Sequence, residues 1–172
     1  MPAKQLSEAE IFAQYLKYKY NLEVDYLETN STNCGNNITN LLKLLEINNI
    51  SFNSIIIAQD ATMQHRMDAI LRKCVPRETR IINFATYKAE VVENKGVLEY
   101  KHKIHSMWRV ERYISLLMGE VPRLQDDENG YGPKGKNFLT HVDIPDEAMR
   151  AFTELKQVFP ESVREANPQF SS

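Results

Sequence analysis

Two turns of the same construction constrain the fold of this chain more than any other feature. The first, residues 28–37, follows a short strand-like run at residues 24–27 and leads into an amphipathic helix. The second, residues 59–66, follows the β-branched run at residues 54–58 and leads into another. Strands that alternate with helices in this way predict an α/β fold built on a parallel sheet.

The helices follow from hydrophobic periodicity and from their end signals. A capping-box pattern formed by Ser7 and Glu10 predicts a helix that continues to about residue 18. Apolar residues at helical spacing predict four further helices, at residues 38–45, 63–74, 106–118 and 145–159. Gly119 is expected to stop the helix that precedes it.

The strands are short and lie between these helices. A third parallel strand is predicted at residues 80–84, and the run at 54–58 has the composition of a strand covered on both faces. A hairpin around Lys95 and Gly96 is predicted within residues 89–100. The chain opens with a helix and contains neither a GxGxxG nor a P-loop motif. Three parallel strands are fewer than most sheets have, so the first strands of the fold are expected to be missing.

Length and composition exclude several classes of protein. The 172 residues suit one domain, and 42% hydrophobic with 26% charged residues is typical of a soluble globular protein. A net charge of -2 makes nucleic acid a poor default partner. The apolar runs are too short to span a bilayer, no signal peptide opens the chain, and Cys34 and Cys74 form no CxxC motif. We therefore expect a cytoplasmic protein.

Small polar side chains fill the first of the two turns. Ligands of open α/β sheets bind beyond the carboxyl ends of the strands, near helix N-termini. Ser31, Thr32 and Asn33, together with Asn37, could hold a ligand there, although capping of the following helix also explains such residues. Glu28 could accept hydrogen bonds from ribose hydroxyls or from an ammonium group, or it could be a solvated turn carboxylate.

The second turn places Gln59, Asp60 and Thr62 at the corresponding position. Asp60 could contact a ligand or cap the next helix, where a negative charge is favourable. Arg66 falls in the first turn of that helix, where a positive charge opposes the macrodipole. We expect an anionic partner for Arg66, either a ligand group or Asp60, unless it is a surface arginine; His65 beside it is interpreted as a bystander.

Other polar residues are weaker indications of a ligand or metal site. Tyr131, Lys134 and Lys136 lie on a glycine-rich loop that could fold over a nucleoside or could be a solvated surface loop. No metal site is expected, because neither group of possible ligands has metal-binding spacing. These groups are the acidic residues Asp126, Asp127 and Glu128 and the histidines His102, His105 and His141. The aromatic residues Trp108 and Tyr113 are expected in the core.

Six segments closely resemble the YdcF-like family, bacterial domains of unknown function. They are residues 31–37 (STNCGxN), 59–64 (QDxTMQ), 110–117 (VERYxSLL), 122–127 (PRLxDD), 130–133 (GYGP) and 141–143 (HVD), where x marks a position outside the resemblance. The resemblance covers about residues 7–148. It implies a Rossmann-like three-layer fold that binds S-adenosylmethionine, with residues 1–88 a partial α/β domain and residues 89–172 a helical C-terminal extension packed on it.

The resemblance leaves three functional hypotheses open. The first is binding of S-adenosylmethionine or a similar adenosine-containing molecule at the strand ends, with no reaction assigned. The second is an envelope-associated role in cell-wall or surface-polysaccharide homeostasis. The third is an inactive truncated fragment, because the first two strands of the family have no counterpart here; such a fragment could self-associate or require a partner that supplies those strands.

Overall fold

The computed structural model describes residues 6–87, 89–160 and 163. That part of the chain is a mixed α/β structure with five helices and two small sheets. The helices are α1 (Glu8–Tyr20), α2 (Cys34–Ile47), α3 (Gln64–Cys74), α4 (Val110–Leu124) and α5 (Asp146–Val158). The strands are β1 (Ser54–Gln59), β2 (Arg80–Ala85), β3 (Val91–Asn94) and β4 (Val97–Tyr100). The chain forms two compact units, Met1–Phe52 and Asn53–Ser172, and the boundary predicted between residues 88 and 89 lies within the second.

Both helices of the Met1–Phe52 unit begin at capping boxes. The hydroxyl of Ser7 accepts the Glu10 N–H at 3.2 Å, and the Glu10 carboxylate accepts the Ser7 N–H at 2.7 Å. At the start of α2, the side-chain oxygens of Asn33 and Asn36 each accept the other's N–H at 2.9 Å. The predicted start of α1 is confirmed, and α2 begins earlier than its apolar stripe indicated.

The strand predicted at residues 24–27 is wrong. This segment is irregular, with a bend at Asp25, and the side chains of Val24, Tyr26 and Leu27 are exposed. A run of four residues has little intrinsic strand preference, because strand formation depends on packing against neighbouring strands. In the described residues the parallel sheet therefore has two strands.

The parallel sheet lies in the Asn53–Ser172 unit and packs against α3. β1 and β2 pair in parallel from Ser54↔Arg80 to Gln59↔Ala85. α3 connects the two strands and packs against both, and it buries Met67, Ile70 and Leu71. The predicted strand–helix–strand order is confirmed, with β1 and β2 extending one residue past their expected ends at residues 58 and 84.

One face of this sheet is open to solvent. Ile56 and Phe84 lie on the face opposite Ile57, and 65% and 60% of their surfaces are exposed. α3 packs against the sheet and Ile57 is buried, so one of the two faces is covered. The expectation that β1 is covered on both faces is therefore wrong for the described residues.

The hairpin and the last two helices complete this unit. β3 and β4 pair antiparallel through a two-residue loop in which Lys95 and Gly96 both have positive φ, 53° and 82°. Positive φ at both loop residues matches the twist of the flanking strands, and the predicted hairpin is confirmed. α4 packs against β4 and α5, and α5 confirms the helix predicted at residues 145–159.

The predicted bounds of α4 are wrong at both ends. Ser106 has φ of 57°, which excludes it from a right-handed helix, and α4 begins at Val110. A glycine stops a helix when it adopts positive φ, but Gly119 does not, so α4 continues to Leu124. None of the helices in the described ranges combines the length and the apolar character that crossing a bilayer requires.

Leu71 is expected to be the main anchor between α3 and the sheet. Its side chain is fully buried, so Leu71→Ala should lower the free energy of unfolding by about 2–5 kcal/mol through lost burial and a new cavity. Val158→Ala is the control, because Val158 is 69% exposed, and it should change stability by less than about 0.5 kcal/mol. Urea denaturation measures both, and equal effects would contradict this packing.

Candidate functional site

Asp60 lies directly after β1 and organises the turn into α3. One carboxylate oxygen accepts both the N–H and the hydroxyl of Thr62 at 2.8 Å, and the other accepts the hydroxyl of Tyr87. Its carbonyl oxygen accepts the N–H groups of Met63 and Gln64, each at 3.0 Å. The Asp60 side chain therefore caps the turn that precedes α3, while the helix itself begins after Met63 without a side-chain cap.

Three tyrosines lie within electrostatic range of the Asp60 carboxylate. Burial, then the hydrogen bond to Asp60 and its charge, raises the pKa of Tyr87. Burial, followed by the Asp60 charge, raises the pKa of Tyr113. Burial, followed by the charges of Tyr113 and Glu111 and last by that of Asp60, raises the pKa of Tyr100. The rings of Tyr100 and Tyr113 meet edge to face, with centroids 5.7 Å apart. We call Asp60, Thr62, Tyr87, Tyr100 and Tyr113 the strand-end cluster.

Two glutamines fix the cluster to the sheet. The side-chain oxygen of Gln59 accepts the Asp60 N–H at 2.7 Å. The amide of Gln64 donates to the Ile57 carbonyl at 3.1 Å and to the Asn83 side chain at 2.7 Å, so the first residue of α3 is tied to both strands. The remaining side-chain oxygen of Gln64 is buried and has no donor among the described residues.

Arg66 forms a largely buried ion pair with Glu120 of α4. Its Nε and Nη2 atoms donate to the two carboxylate oxygens at 2.5 and 2.9 Å. The side chains are 11% and 9% exposed. The anionic partner expected for Arg66 is thus Glu120, rather than Asp60, and the pair joins α3 to α4. Arg66 is not a surface arginine.

Glu28 is held by its own loop in the Met1–Phe52 unit. Its carboxylate accepts the N–H groups of Asn30 and Ser31 at 2.6 and 3.2 Å and the Asn40 amide at 3.4 Å. Burial acts to raise the pKa of Glu28, but hydrogen bonds from the Ser31 side chain and from the Asn30 and Ser31 backbone outweigh it and lower the pKa. An ionised Glu28 therefore stabilises this loop.

The other polar residues of the first turn bond mainly to each other. The side-chain oxygen of Asn36 accepts the Thr32 N–H at 2.9 Å, and its amide donates to the Thr32 hydroxyl at 3.1 Å. Asn33 is the N-cap of α2. The half-buried Asn37 side chain has no hydrogen-bond partner in the described part of the chain.

The structure therefore places the predicted site residues in two groups. Gln59, Asp60, Thr62 and Arg66 lie together around the end of β1 and the start of α3 in Asn53–Ser172. The other group, Glu28, Ser31, Thr32, Asn33 and Asn37, lies before and in the first turn of α2 in Met1–Phe52. Each group is a hydrogen-bonded turn at the start of a helix, as the sequence predicted.

Sequence reasoning missed Tyr87 and Glu120. Tyr87 follows β2 as Asp60 follows β1, and parallel strands end at the same edge of a sheet, so this position carried a usable signal. Glu120 carried none, because it is 54 residues from Arg66 in the chain. Tyr113 is buried as expected, whereas Trp108 is exposed and its expected core position is wrong.

The glycine-rich loop lies after α4 in the same unit. The Lys136 ammonium is 5.1 Å from the centroid of the Tyr131 ring, and the Lys134 N–H bonds to Asp126. His102 and His105 are exposed, and His141 contacts carboxylates. Among the described residues, no group of three His, Cys, Asp or Glu side chains is arranged to hold a metal ion. A search with protein-family models finds no match to the chain.

The ion pair between Arg66 and Glu120 is expected to contribute to the free energy of unfolding. Arg66→Met or Glu120→Leu alone should lower the free energy of unfolding by about 3–5 kcal/mol, because each removes one partner of a largely buried ion pair. The double variant should recover much of this loss, and a double-mutant cycle in urea measures the coupling.

The exposed pair Arg109–Glu111 is the matched control for that cycle. Its side chains are 87% and 76% exposed, and its atoms are 3.5 Å apart. The same substitutions there should couple by less than about 1 kcal/mol. Additive losses at Arg66 and Glu120 would contradict a direct pair.

Proposed function

We propose that the strand-end cluster binds a small molecule that carries a positive charge, and that S-adenosylmethionine is the best candidate. The observation that carries this proposal is the fixed carboxylate of Asp60 at the carboxyl end of β1, bonded to Tyr87 and with a charge that helps to raise the pKa values of Tyr100 and Tyr113. The resemblance to the YdcF-like family supplies the adenosine part of the candidate. A Rossmann-like sheet that contains the β1–α3–β2 unit belongs to the same proposal.

A sulfonium or quaternary ammonium group suits this cluster chemically. Such a cation has no N–H or O–H to donate, so it is recognised through opposite charge and through the negative faces of aromatic rings. The cluster offers both, since Asp60 supplies the carboxylate and Tyr87 is bonded directly to it. Because the Asp60 oxygens already accept from Thr62 and Tyr87, the carboxylate is held in place before a ligand arrives.

The Gln59 side chain next to Asp60 is expected to bind an uncharged part of the ligand. The Gln59 oxygen bonds to the Asp60 N–H, so its amide nitrogen is the group offered to ribose or adenine acceptors. Glu28, Ser31, Thr32, Asn33 and Asn37 lie in the Met1–Phe52 unit, and ligand contacts by these residues are a separate proposal. No group in the cluster assigns a reaction to the site.

Calorimetric titration of the 172-residue chain tests the proposal. S-adenosylmethionine should bind at least about tenfold more tightly than S-adenosylhomocysteine, which lacks the sulfonium charge; tenfold corresponds to about 1.4 kcal/mol. Asp60→Asn should remove this preference, because the carboxylate is lost while the shape of the side chain is kept. Tyr87→Phe should weaken it, because the carboxylate loses the donor that orients it.

The matched control is Asp25→Asn, a second aspartate in an exposed bend. This variant should bind both compounds as the wild-type protein does. Equal affinity of the wild-type protein for the two compounds would refute cation recognition. Absence of binding by both would refute the proposed function as a whole.

A further inference from the structure

Three residues, Asp126, His141 and Asp143, form a hydrogen-bonded cluster at the glycine-rich loop of residues 126–143. Asp126 follows α4, and one of its carboxylate oxygens accepts the Lys134 N–H at 2.7 Å. Its other oxygen lies 2.7 Å from Nδ1 of His141, at the far end of the loop. Nε2 of His141 lies 3.0 Å from the Asp143 carboxylate. Asp126 thus bonds to the middle and to the end of the loop.

The loop is folded tightly onto this cluster. A Cβ atom at Gly132 would lie 2.6 Å from a carboxylate oxygen of Asp126, and one at Gly130 would lie 1.9 Å from the Gln125 carbonyl oxygen. These approaches require glycine, because any side chain would collide with the segment that carries Asp126. The loop is therefore tightly packed, and its position depends on Asp126.

His141 has a carboxylate at each ring nitrogen. Both nitrogens carry a proton only in the imidazolium form, so this arrangement favours the charged ring. The hydrogen bond to Asp126, followed by that to Asp143, raises the pKa of His141. The Lys134 N–H, followed by the His141 side chain, lowers the pKa of Asp126. Asp126 and Asp143 are the charged groups that face the ring.

The two carboxylates differ in their exposure to solvent. The Asp126 side chain is 10% exposed, whereas Asp143 is fully exposed. Neutral imidazole keeps one N–H, and the shorter bond to the more protected Asp126 retains it. The lone pair of Nε2 then faces the Asp143 carboxylate, which repels it and is free to turn to water.

We propose that Asp126, His141 and Asp143 form a pH-operated clamp on residues 126–143, in which imidazolium holds both carboxylates and neutral imidazole releases Asp143. Release frees the segment before α5 and exposes Nε2 of His141 as a hydrogen-bond acceptor. The contact between His141 and Asp126 persists in both states, so the glycine-rich loop stays folded while its C-terminal end opens.

The pKa shifts of His141 and Asp126 determine the direction of the pH effect. The pKa of His141 is raised, so its stabilising contribution is complete below the ordinary value of 6.5 and is lost as pH rises through the folded-state pKa. The pKa of Asp126 is lowered, so its contribution is complete above the ordinary 3.8 and is lost as pH falls through the folded-state pKa. The clamp is therefore closed between these two transitions.

NMR titration of the histidine ring signals in the full chain tests the clamp. His141→Gln assigns the His141 signals among the four histidines. The wild-type His141 midpoint should lie above 6.5, and the Asp143 amide shift should change with the same midpoint. Asp143→Asn should lower the His141 midpoint, and Asp126→Asn should lower it further. The Lys134 amide should stay protected from exchange through the wild-type titration.

Two results would overturn the clamp. One is a wild-type His141 midpoint at or below 6.5. The other is an Asp143 amide that does not respond when His141 titrates. If Asp126→Asn fails to fold, as judged by the dispersion of its amide spectrum, Asp143→Asn decides, because Asp143 is fully exposed and its substitution removes no buried contact.

Discussion

The parallel pairing of β1 with β2 is the constraint on which the site depends. Gln59 lies opposite Ala85, so the residues that follow each strand emerge side by side. This register brings Tyr87 to Asp60, although 27 residues separate them in the chain. A parallel pair requires a crossover, and α3 supplies it while its first residue, Gln64, bonds to both strands. A slip in this register would separate Tyr87 from Asp60.

The pairing of two largely buried charges then joins α3 to α4. Removing charges from water costs several kcal/mol per ion, so the buried Arg66 and Glu120 require each other. The Asp60 carboxylate is held by hydroxyl and N–H donors of Thr62 and Tyr87. We propose that a ligand cation binds to this carboxylate at the end of β1.

Local signals in the sequence predicted much of the fold. Ser7 with Glu10, and Lys95 with Gly96, act through hydrogen bonds and φ angles within a few residues, so their capping box and turn were predictable. Features that depend on distant contacts were not. The strand expected at residues 24–27 lacked pairing, and the φ angle of Gly119 depends on the packing of α4. For the site, Asp60 and Thr62 were predicted from their position after a strand, whereas the partners Tyr87 and Glu120 came from tertiary structure.

The proposed site depends on the hydrogen bond between Tyr87 and the Asp60 carboxylate, and titration of the Tyr87 ring measures this interaction most directly. In protein labelled with ¹³C at the tyrosine ring carbon that bears the hydroxyl, Tyr87→Phe identifies the resonance. Its midpoint should lie above the ordinary value of 10.0 and should fall part of the way back in Asp60→Asn, where burial remains but the charge is lost. An ordinary midpoint in the wild-type protein, or the same midpoint in both proteins, would contradict the account.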